Sequence, residues 1–290
     1  MKRVLITGAG SYVGSSVQDY LEQFPDKYSV SVVDMIDGSW EKADFSLYDT
    51  VYHVAGLAHS DVGNVTDEVK AKYYAVNTDL AIETAKKAKA EGVKQFIFMS
   101  SVIVYGESAP IGEKKVITKD TACSPANYYG DSKVQAENGI LPLADDQFKV
   151  VILRCPMIYG KGSKGNFTKL EKIAKKLRVF PKIKNERSML YIGNLVEFVR
   201  LMIENEESGI FWPCNKEWSN TSELVKLIAS CYGKKTALVP GFGLMLRLMS
   251  HITGYIDKSF GNLTYEEHLG DYKEEYRIYT LAQSIKETEG

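Results

Sequence analysis

The chain predicts an α/β fold, a doubly wound parallel sheet followed by a smaller C-terminal lobe. Three observations carry that reading. Apolar runs of strand length alternate with helical stretches from residue 4 to about residue 154, an order that crossover connections turn into a parallel sheet. The first run enters a glycine-rich turn, Thr7-Gly8-Ala9-Gly10-Ser11-Tyr12-Val13-Gly14. Later runs also close on small or polar residues, and their ends fall along one edge, where such sheets bind ligands.

Each element has its own signal. Val4-Leu5-Ile6 reads as a buried strand, and Val13 to Phe24 has helical character. Ser29-Val30-Ser31-Val32-Val33-Asp34 is a second strand ending in an acid, and Thr50 to Gly56 is a third, closed by glycine. Asp67 to Gly92 is rich in Ala and Lys and reads as one long helix, with Gly92 as its C-cap. Gln95 to Ser101 is a strand, Tyr129 to about Gly139 a helix, and Phe148 to Arg154 another strand.

After Arg154 the rhythm weakens. Pro156, Gly160, Gly162 and Gly165 mark a loop. Asn166 to Lys176 is a basic helix, and Leu190 to Glu204 passes from strand to helix. The expected layout is a nucleotide domain over residues 1–154, to which 187–205 returns, and a smaller substrate lobe over 155–290. Trp212, Trp218 and the run Phe242 to Met249 read as core of that lobe. A membrane-surface role is the second reading of the run, because Arg247 and Lys258 flank its apolar face.

Bulk properties narrow the function classes. The 290 residues carry a net charge of −1, so no nucleic-acid partner is implied. Cys123, Cys155, Cys214 and Cys231 are far apart, which argues against a zinc site or a disulfide framework and fits a reducing compartment. No run approaches the ~20 apolar residues of a membrane span, and the apolar run after Lys2-Arg3 is too short for a signal peptide. A cytoplasmic protein without an integral membrane segment and without a metal is expected.

The phosphate turn lies between strand and helix, the context in which backbone amides at a helix N-terminus hold a pyrophosphate. Asp34, twenty residues after Gly14, stands where an acid binds ribose hydroxyls and repels a 2′-phosphate, so NAD is favoured over NADP. Lys42 is close enough in sequence to compensate. Tyr129 and Lys133 are four residues apart in Tyr128-Tyr129-Gly130-Asp131-Ser132-Lys133. On a helix they share one face. A cation near a phenol lowers its pKa, and a phenol so tuned can exchange a proton with a hydroxyl near neutrality. Tyr128 pairs by the same spacing with Ser132 rather than with a cation.

In combination these segments resemble the extended short-chain dehydrogenase/reductase family, the NAD-dependent nucleotide-sugar epimerase/dehydratase/reductase group with a Rossmann-like fold. The resemblance runs from residue 4 to about residue 195. Thr7 to Gly14 is similar to the family's Thr-Gly-x-x-Gly-x-x-Gly opening, except that Ser11 takes the middle glycine position and Gly10 is displaced by one. Among these, Gly8, Gly10, Ser11, Tyr12, Val13 and Gly14 would meet the cofactor. Val54, Ala55 and Gly56, in His53-Val54-Ala55-Gly56-Leu57, resemble a segment whose backbone passes beside it. Asp44-Phe45 resembles the pair that contacts adenine, and the ten residues from Asp34 to Asp44 leave no room for the usual helix. Asn77 matches a central-helix asparagine. Phe98-Met99-Ser100-Ser101-Val102-Ile103-Val104-Tyr105-Gly106 matches the strand that carries the active-site Ser or Thr. The residue four before Tyr105 is Ser101, and Ser100 borders the cofactor. Leu153 to Gly160 resembles the segment beside the nicotinamide, which brings in Pro156 and Met157.

The resemblance implies that Ser101, Tyr129 and Lys133 are catalytic. Tyr129 would accept the hydroxyl proton, Lys133 would hold the phenolate and the nicotinamide ribose, and Ser101 would donate to the developing oxygen. Ser101, Asn166 and Arg187 would meet the substrate, with Arg187 on a phosphate. Dehydratases of the group carry acids directly after the active-site Thr, where this chain has Val102 and Ile103. The reading therefore narrows to a 4-epimerase or a 4-keto reductase of a nucleotide sugar, such as a UDP-sugar for surface polysaccharide. Two other readings stand beside it, a short-chain reductase of a non-nucleotide ketone or alcohol and a non-catalytic dinucleotide-binding sensor. A homodimer through Asp67–Gly92 and Tyr129–Gly139 is also implied.

Overall fold

A computed structural model describes residues 1–58, 66–242 and 260–290. In chain order its elements are β1 (Lys2–Thr7), α1 (Tyr12–Leu21), β2 (Tyr28–Val33), β3 (Thr50–His53), α2 (Asp67–Tyr74), α3 (Leu80–Ala90) and β4 (Gln95–Ser101). Then follow β5 (Val116–Ile117), α4 (Tyr128–Ile140), β6 (Lys149–Cys155), β7 (Met157–Tyr159), α5 (Asn166–Lys176), β8 (Val179–Pro181) and β9 (Met189–Tyr191). The chain ends with α6 (Ile192–Glu204), β10 (Gly209–Phe211), α7 (Thr221–Cys231), β11 (Ala237–Val239), β12 (Thr264–Tyr265) and α8 (Leu281–Glu289).

The chain divides into two compact units. The first comprises 1–106, 122–155 and 196–212. It holds a six-stranded sheet in the order β10-β6-β4-β3-β1-β2, parallel throughout. This is the Rossmann-type sheet that the alternation predicts. Its inner strands β3, β4 and β6 are buried almost throughout, as a parallel sheet covered on both faces requires. Leu5, Val51, Phe96, Phe98 and Ile152 pack into a cluster with Phe45 and the small side chains of Ala81, Ala85 and Ala88 on α3.

Three departures from the sequence reading have physical causes. The stretch 67–92 is not one regular helix, because a π-helical turn, Ala75–Asp79, separates α2 from α3. Such a turn inserts an extra residue and re-aims a side chain, here that of Asn77. The returning segment is 196–212 rather than 187–205, and it adds β10, whose three-residue pairing with β6 is too short to announce itself by periodicity. Residues 107–121 leave for the second unit. In keeping with the short Asp34–Asp44 link, the chain between β2 and β3 makes two 3₁₀ turns, Ser39–Glu41 and Phe45–Leu47, in place of a crossover helix.

The second unit comprises 107–121, 156–195 and 213–290. Helices α5, α7 and α8 pack with three two-stranded parallel sheets, β7–β9, β8–β11 and β5–β12. Its core contains Tyr159, Phe167, Phe180, Val225, Ile228 and Ile285. Trp212 belongs to the first unit, and Trp218 is 44% exposed. Neither is core of the second unit, contrary to the sequence reading. Phe242 is exposed, and Gly243 to Met249 lie outside the described residues.

Candidate active site

The glycine turn is shaped by close packing. Gly8 and Gly10 take φ of +98° and +72°, which disfavour any side chain. A Cβ on Gly8 would stand 2.9 Å from the Ala55 backbone nitrogen, and one on Gly14 would stand 3.0 Å from a Val54 methyl. The turn is thus pressed against the exit of β3. A Cβ on Gly10 would meet nothing within 4 Å, so above Gly10 the turn opens into free space. Gly8 and Ala9 donate their N–H groups to the Val33 carbonyl at 3.0 and 3.4 Å, which sets half-buried Asp34 beside the turn. A turn closed below, open above and ending in the N-terminus of α1 fits a dinucleotide pyrophosphate.

Ser11 explains the departure from the glycine pattern. It is the N-cap of α1 and accepts the Gly14 N–H at 3.1 Å. One of the amides that a glycine at this position would leave unbound is already satisfied by the chain itself.

Ser101, Tyr129 and Lys133 come from the end of β4 and the first turns of α4. Asn127 caps α4 by accepting the Gly130 N–H at 3.0 Å, which fixes where the helix starts and hence where Tyr129 points. Ser101 caps the 3₁₀ turn Val102–Tyr105, accepting the Ile103 N–H at 3.3 Å, and its hydroxyl neighbours the Tyr129 phenol. Burial pushes that phenol up to about 12, and the neighbouring Ser101 opposes the rise. The direction is opposite to the one expected from the Tyr–Lys spacing. Lys133 is directed elsewhere. Its ammonium donates to the Met99 carbonyl at 2.9 Å and sits 4.6 Å from the centre of the Phe98 ring. Burial lowers its pKa to about 8, against the opposing pull of Glu137.

Asn77 and Gly56 complete the floor. Asn77 accepts the Leu57 N–H at 2.7 Å and donates to the Leu57 carbonyl and to Ser132 Oγ, both at 3.1 Å. It ties the exit of β3 to α4. A Cβ on Gly56 would come within 3.1 Å of Asn77 Oδ1 and 3.4 Å of Lys133 Nζ, so only glycine lets these groups converge. His53 stacks on Phe96 and Phe98, and its Nδ1 lies 2.8 Å from Thr7 Oγ1. Burial, with the Lys133 charge adding to it, lowers this imidazole to about 3 and keeps it neutral.

Behind this floor runs a buried polar chain that sequence reasoning missed. Ser100 donates to Glu137 Oε1 at 2.5 Å. Arg154 donates to Glu137 Oε2 through Nη2 at 2.6 Å and through Nε at 3.1 Å, and through Nη1 to the Tyr105 hydroxyl at 2.6 Å. Trp212 Nε1 donates to the same hydroxyl at 2.8 Å. The available signal was spacing, since Glu137 follows Lys133 by one helical turn. The hydroxyl proton of Ser100 is therefore committed to Glu137.

The other expected residues are distributed as follows. Asp44 caps the turn Phe45–Leu47, accepting from Ser46 N–H and Oγ at 3.0 and 2.6 Å. Phe45 is fully buried in the core, and its N–H is taken by Glu91 at 2.6 Å. Both have structural work that accounts for them. In the second unit, Met157, Asn166, Arg187, Met189, Ser219 and Thr221 line one small cavity. Pro156 is buried just before it. Burial depresses the Arg187 guanidinium, against the attraction of Glu107. Asn166 and Arg187, twenty-one residues apart in sequence, thus share one concave surface. Among the described residues no cluster of His, Cys, Asp or Glu could hold a metal ion.

A parallel sheet with an open glycine turn at its edge, and a serine, a tyrosine and a buried lysine gathered at the end of β4, defines a dinucleotide-dependent oxidoreductase-type enzyme. Residues 4–211 match the NAD dependent epimerase/dehydratase family, and the chain belongs to it. The chain is accordingly an NAD-dependent enzyme. It is 31% identical over 264 residues to the UDP-glucose 4-epimerase of Vibrio cholerae, covering 82% of this chain and 78% of the relative. It is 28% identical to the N-acetyl-alpha-D-glucosaminyl-diphospho-ditrans,octacis-undecaprenol 4-epimerase of Escherichia coli O157:H7, over 80% of this chain and 73% of that one. The fold is shared with RMD from Pseudomonas aeruginosa, solved with NADPH, at a TM-score of 0.76 and 19% identity over 99% and 98% of the two chains. It is shared also with the UDP-glucuronic acid 4-epimerase of Bacillus cereus, solved with NAD, at a TM-score of 0.72 and 17% identity over 98% and 96%.

Proposed function

We propose that this enzyme epimerises, or reduces, position 4 of a sugar carried on a diphosphate, with Tyr129 as its acid and base. The carrying observation is the placement of Ser101, at the end of β4, beside the Tyr129 phenol, one helical turn from the buried ammonium of Lys133. When bound, NAD would accept the hydride of the sugar and return it in epimerisation, or as NADH would supply it in reduction, and the protein supplies position and protons. Tyr129, with a pKa near 12 in this structure, holds its proton at neutral pH. It is set to donate that proton to an oxygen that becomes an alkoxide, and to retrieve it in the reverse sense. Ser101 steadies the same oxygen. Lys133 supports the phenolate when its ammonium turns from the Met99 carbonyl toward the ring. Asp34 beside the turn supports NAD over NADP.

Arg187 and Asn166 line one small cavity of the second unit, and a planar guanidinium there supports contact with a phosphate of the substrate. The names of the two relatives support epimerisation over reduction. Self-association belongs to the same proposal and is read by light scattering, where a monomeric mass at micromolar concentration would contradict it.

The test is a panel of UDP-sugars with and without NADH, reading sugar interconversion and net NADH loss separately. Tyr129→Phe should lower turnover about a hundred- to ten-thousandfold while leaving NAD binding in place. Unchanged turnover in that variant would sink the mechanism. Net NADH consumption would identify the reductase.

A further inference from the structure

The second unit carries a basic surface that the enzymatic reading does not use. Residues 169–184 hold seven Lys or Arg against one acid, Glu171, in a chain whose net charge is −1. Part of that charge is spent locally. Lys175 pairs with Glu171 and lies over the Tyr232 ring, and Lys175 and Lys176 suit the C-terminal end of α5. Arg178, Lys182 and Lys184 lie beyond the helix, and all three are exposed, as is Lys235. Among the described residues no ion pair is recorded for these four or for Lys176.

The backbone beneath them is firm. β8 and β11 pair in register, Val179 with Ala237 and Pro181 with Val239. The strands are extended at both ends by Ala237 N–H to the Arg178 carbonyl at 2.9 Å and Lys182 N–H to the Val239 carbonyl at 2.8 Å. Alternation turns Phe180 and Leu238 into the core. It turns Val179, 55% exposed, and the exposed Ala237 outward. Leu177, 44% exposed, precedes them, and its carbonyl is held by Thr236 Oγ1 at 3.2 Å. An apolar face on a two-stranded sheet, rimmed by exposed cations, is therefore held in place.

We propose that the β8–β11 face docks on the anionic surface of a lipid bilayer. Exposed apolar side chains enter the interface while Lys and Arg stems lie along it with their charges on the headgroups. Charge complementarity selects the partner. A second copy of this chain would set like charges together, whereas anionic lipid neutralises them. No described helix is long and apolar enough to cross a membrane, and the proposed contact runs through surface side chains of one sheet. It does not depend on the reaction proposed above, and its test requires no turnover.

The experiment is co-sedimentation of the full chain with phosphatidylcholine vesicles, with and without phosphatidylglycerol, over rising sodium chloride. Binding should require phosphatidylglycerol and fall with salt. The double variant Arg178→Glu/Lys182→Glu should bind on the order of a hundredfold more weakly. Val179→Thr, which keeps the strand, should weaken binding less, and thermal melting checks that both variants fold. No binding to phosphatidylglycerol vesicles, or equal binding to both vesicle types, would overturn the proposal. So would undiminished binding by the double variant. Capture of a DNA duplex without vesicle binding, or a dimer that the double variant dissociates, would assign the face to another partner.

Discussion

Arg154 and Lys133 are two buried cations on neighbouring elements that relate differently to one carboxylate. Arg154, on β6, grips Glu137 through two nitrogens and the Tyr105 hydroxyl through a third. Its charge is fixed, and the pairing raises its pKa further despite burial. Lys133, one helical turn before Glu137, has a neutral carbonyl and a ring face as its nearest partners. Burial lowers it to about 8. A cation that must only hold the fold is given a direct counter-charge. The lysine, which the proposed mechanism asks to respond to a nearby phenol, is left with weaker partners, so that its charge can be redirected at small cost.

The most severe way to break this contrast is to remove the shared carboxylate. Glu137→Ala leaves Arg154 buried without its ion pair and Ser100 without its acceptor. Removing one member of a buried pair costs roughly 3–5 kcal/mol, so urea unfolding should show a loss of that order. Arg154→Met in the same background should recover part of it, since the orphaned charge is then gone. If the single variant unfolded like the wild type, Glu137 would not be holding Arg154 in solution.

The sheet, the glycine turn and the helix that carries Tyr129 and Lys133 were legible because each is a local pattern: a period, a turn composition or a one-turn spacing. The direction of the Tyr129 shift was not legible. Spacing places Lys133 on the right face, but it does not reveal that Met99 and Phe98 take up the ammonium. The polar chain from Ser100 to Trp212 was hidden for a related reason. Its members lie on β4, the 3₁₀ turn after it, α4, β6 and the residue that follows β10, and the order of β4, β6 and β10 in the sheet helps bring them together. Trp212 looked like core because an indole usually is, and its N–H partner was 107 positions away in sequence. Asp44 and Phe45 matched a pattern that cap formation and core packing also satisfy.

The contrast can be sharpened through pH. The unfolded Lys133 keeps its proton up to its ordinary value of 10.5, whereas the folded one releases it near 8. Between those values the unfolded state binds more protons, so stability should rise with pH across that window and not below it. The gain should be on the order of 3 kcal/mol, taken as the difference between the wild type and Lys133→Met in denaturant midpoints. Turnover should move the other way and fall above about pH 8, as the ammonium that supports the phenolate is lost. A wild type and variant that stay parallel through this window would show that Lys133 titrates normally.

The smallest effect tests whether the chain itself competes with the ligand at the turn. Ser11 accepts the Gly14 N–H with φ of −71°, a conformation that needs no glycine. Ser11→Gly removes the cap, and replacing such a cap by glycine costs only a few tenths of a kcal/mol. In return the Gly14 amide becomes free to meet a pyrophosphate oxygen, and a hydrogen bond to a charged acceptor contributes about 1.5–3 kcal/mol. Calorimetry should therefore show NAD binding roughly tenfold or more tighter in the variant, with a melting temperature almost unchanged. Weaker binding would mean that the Ser11 hydroxyl itself contacts the phosphate, and that the serine is an adaptation of the turn rather than a competitor within it.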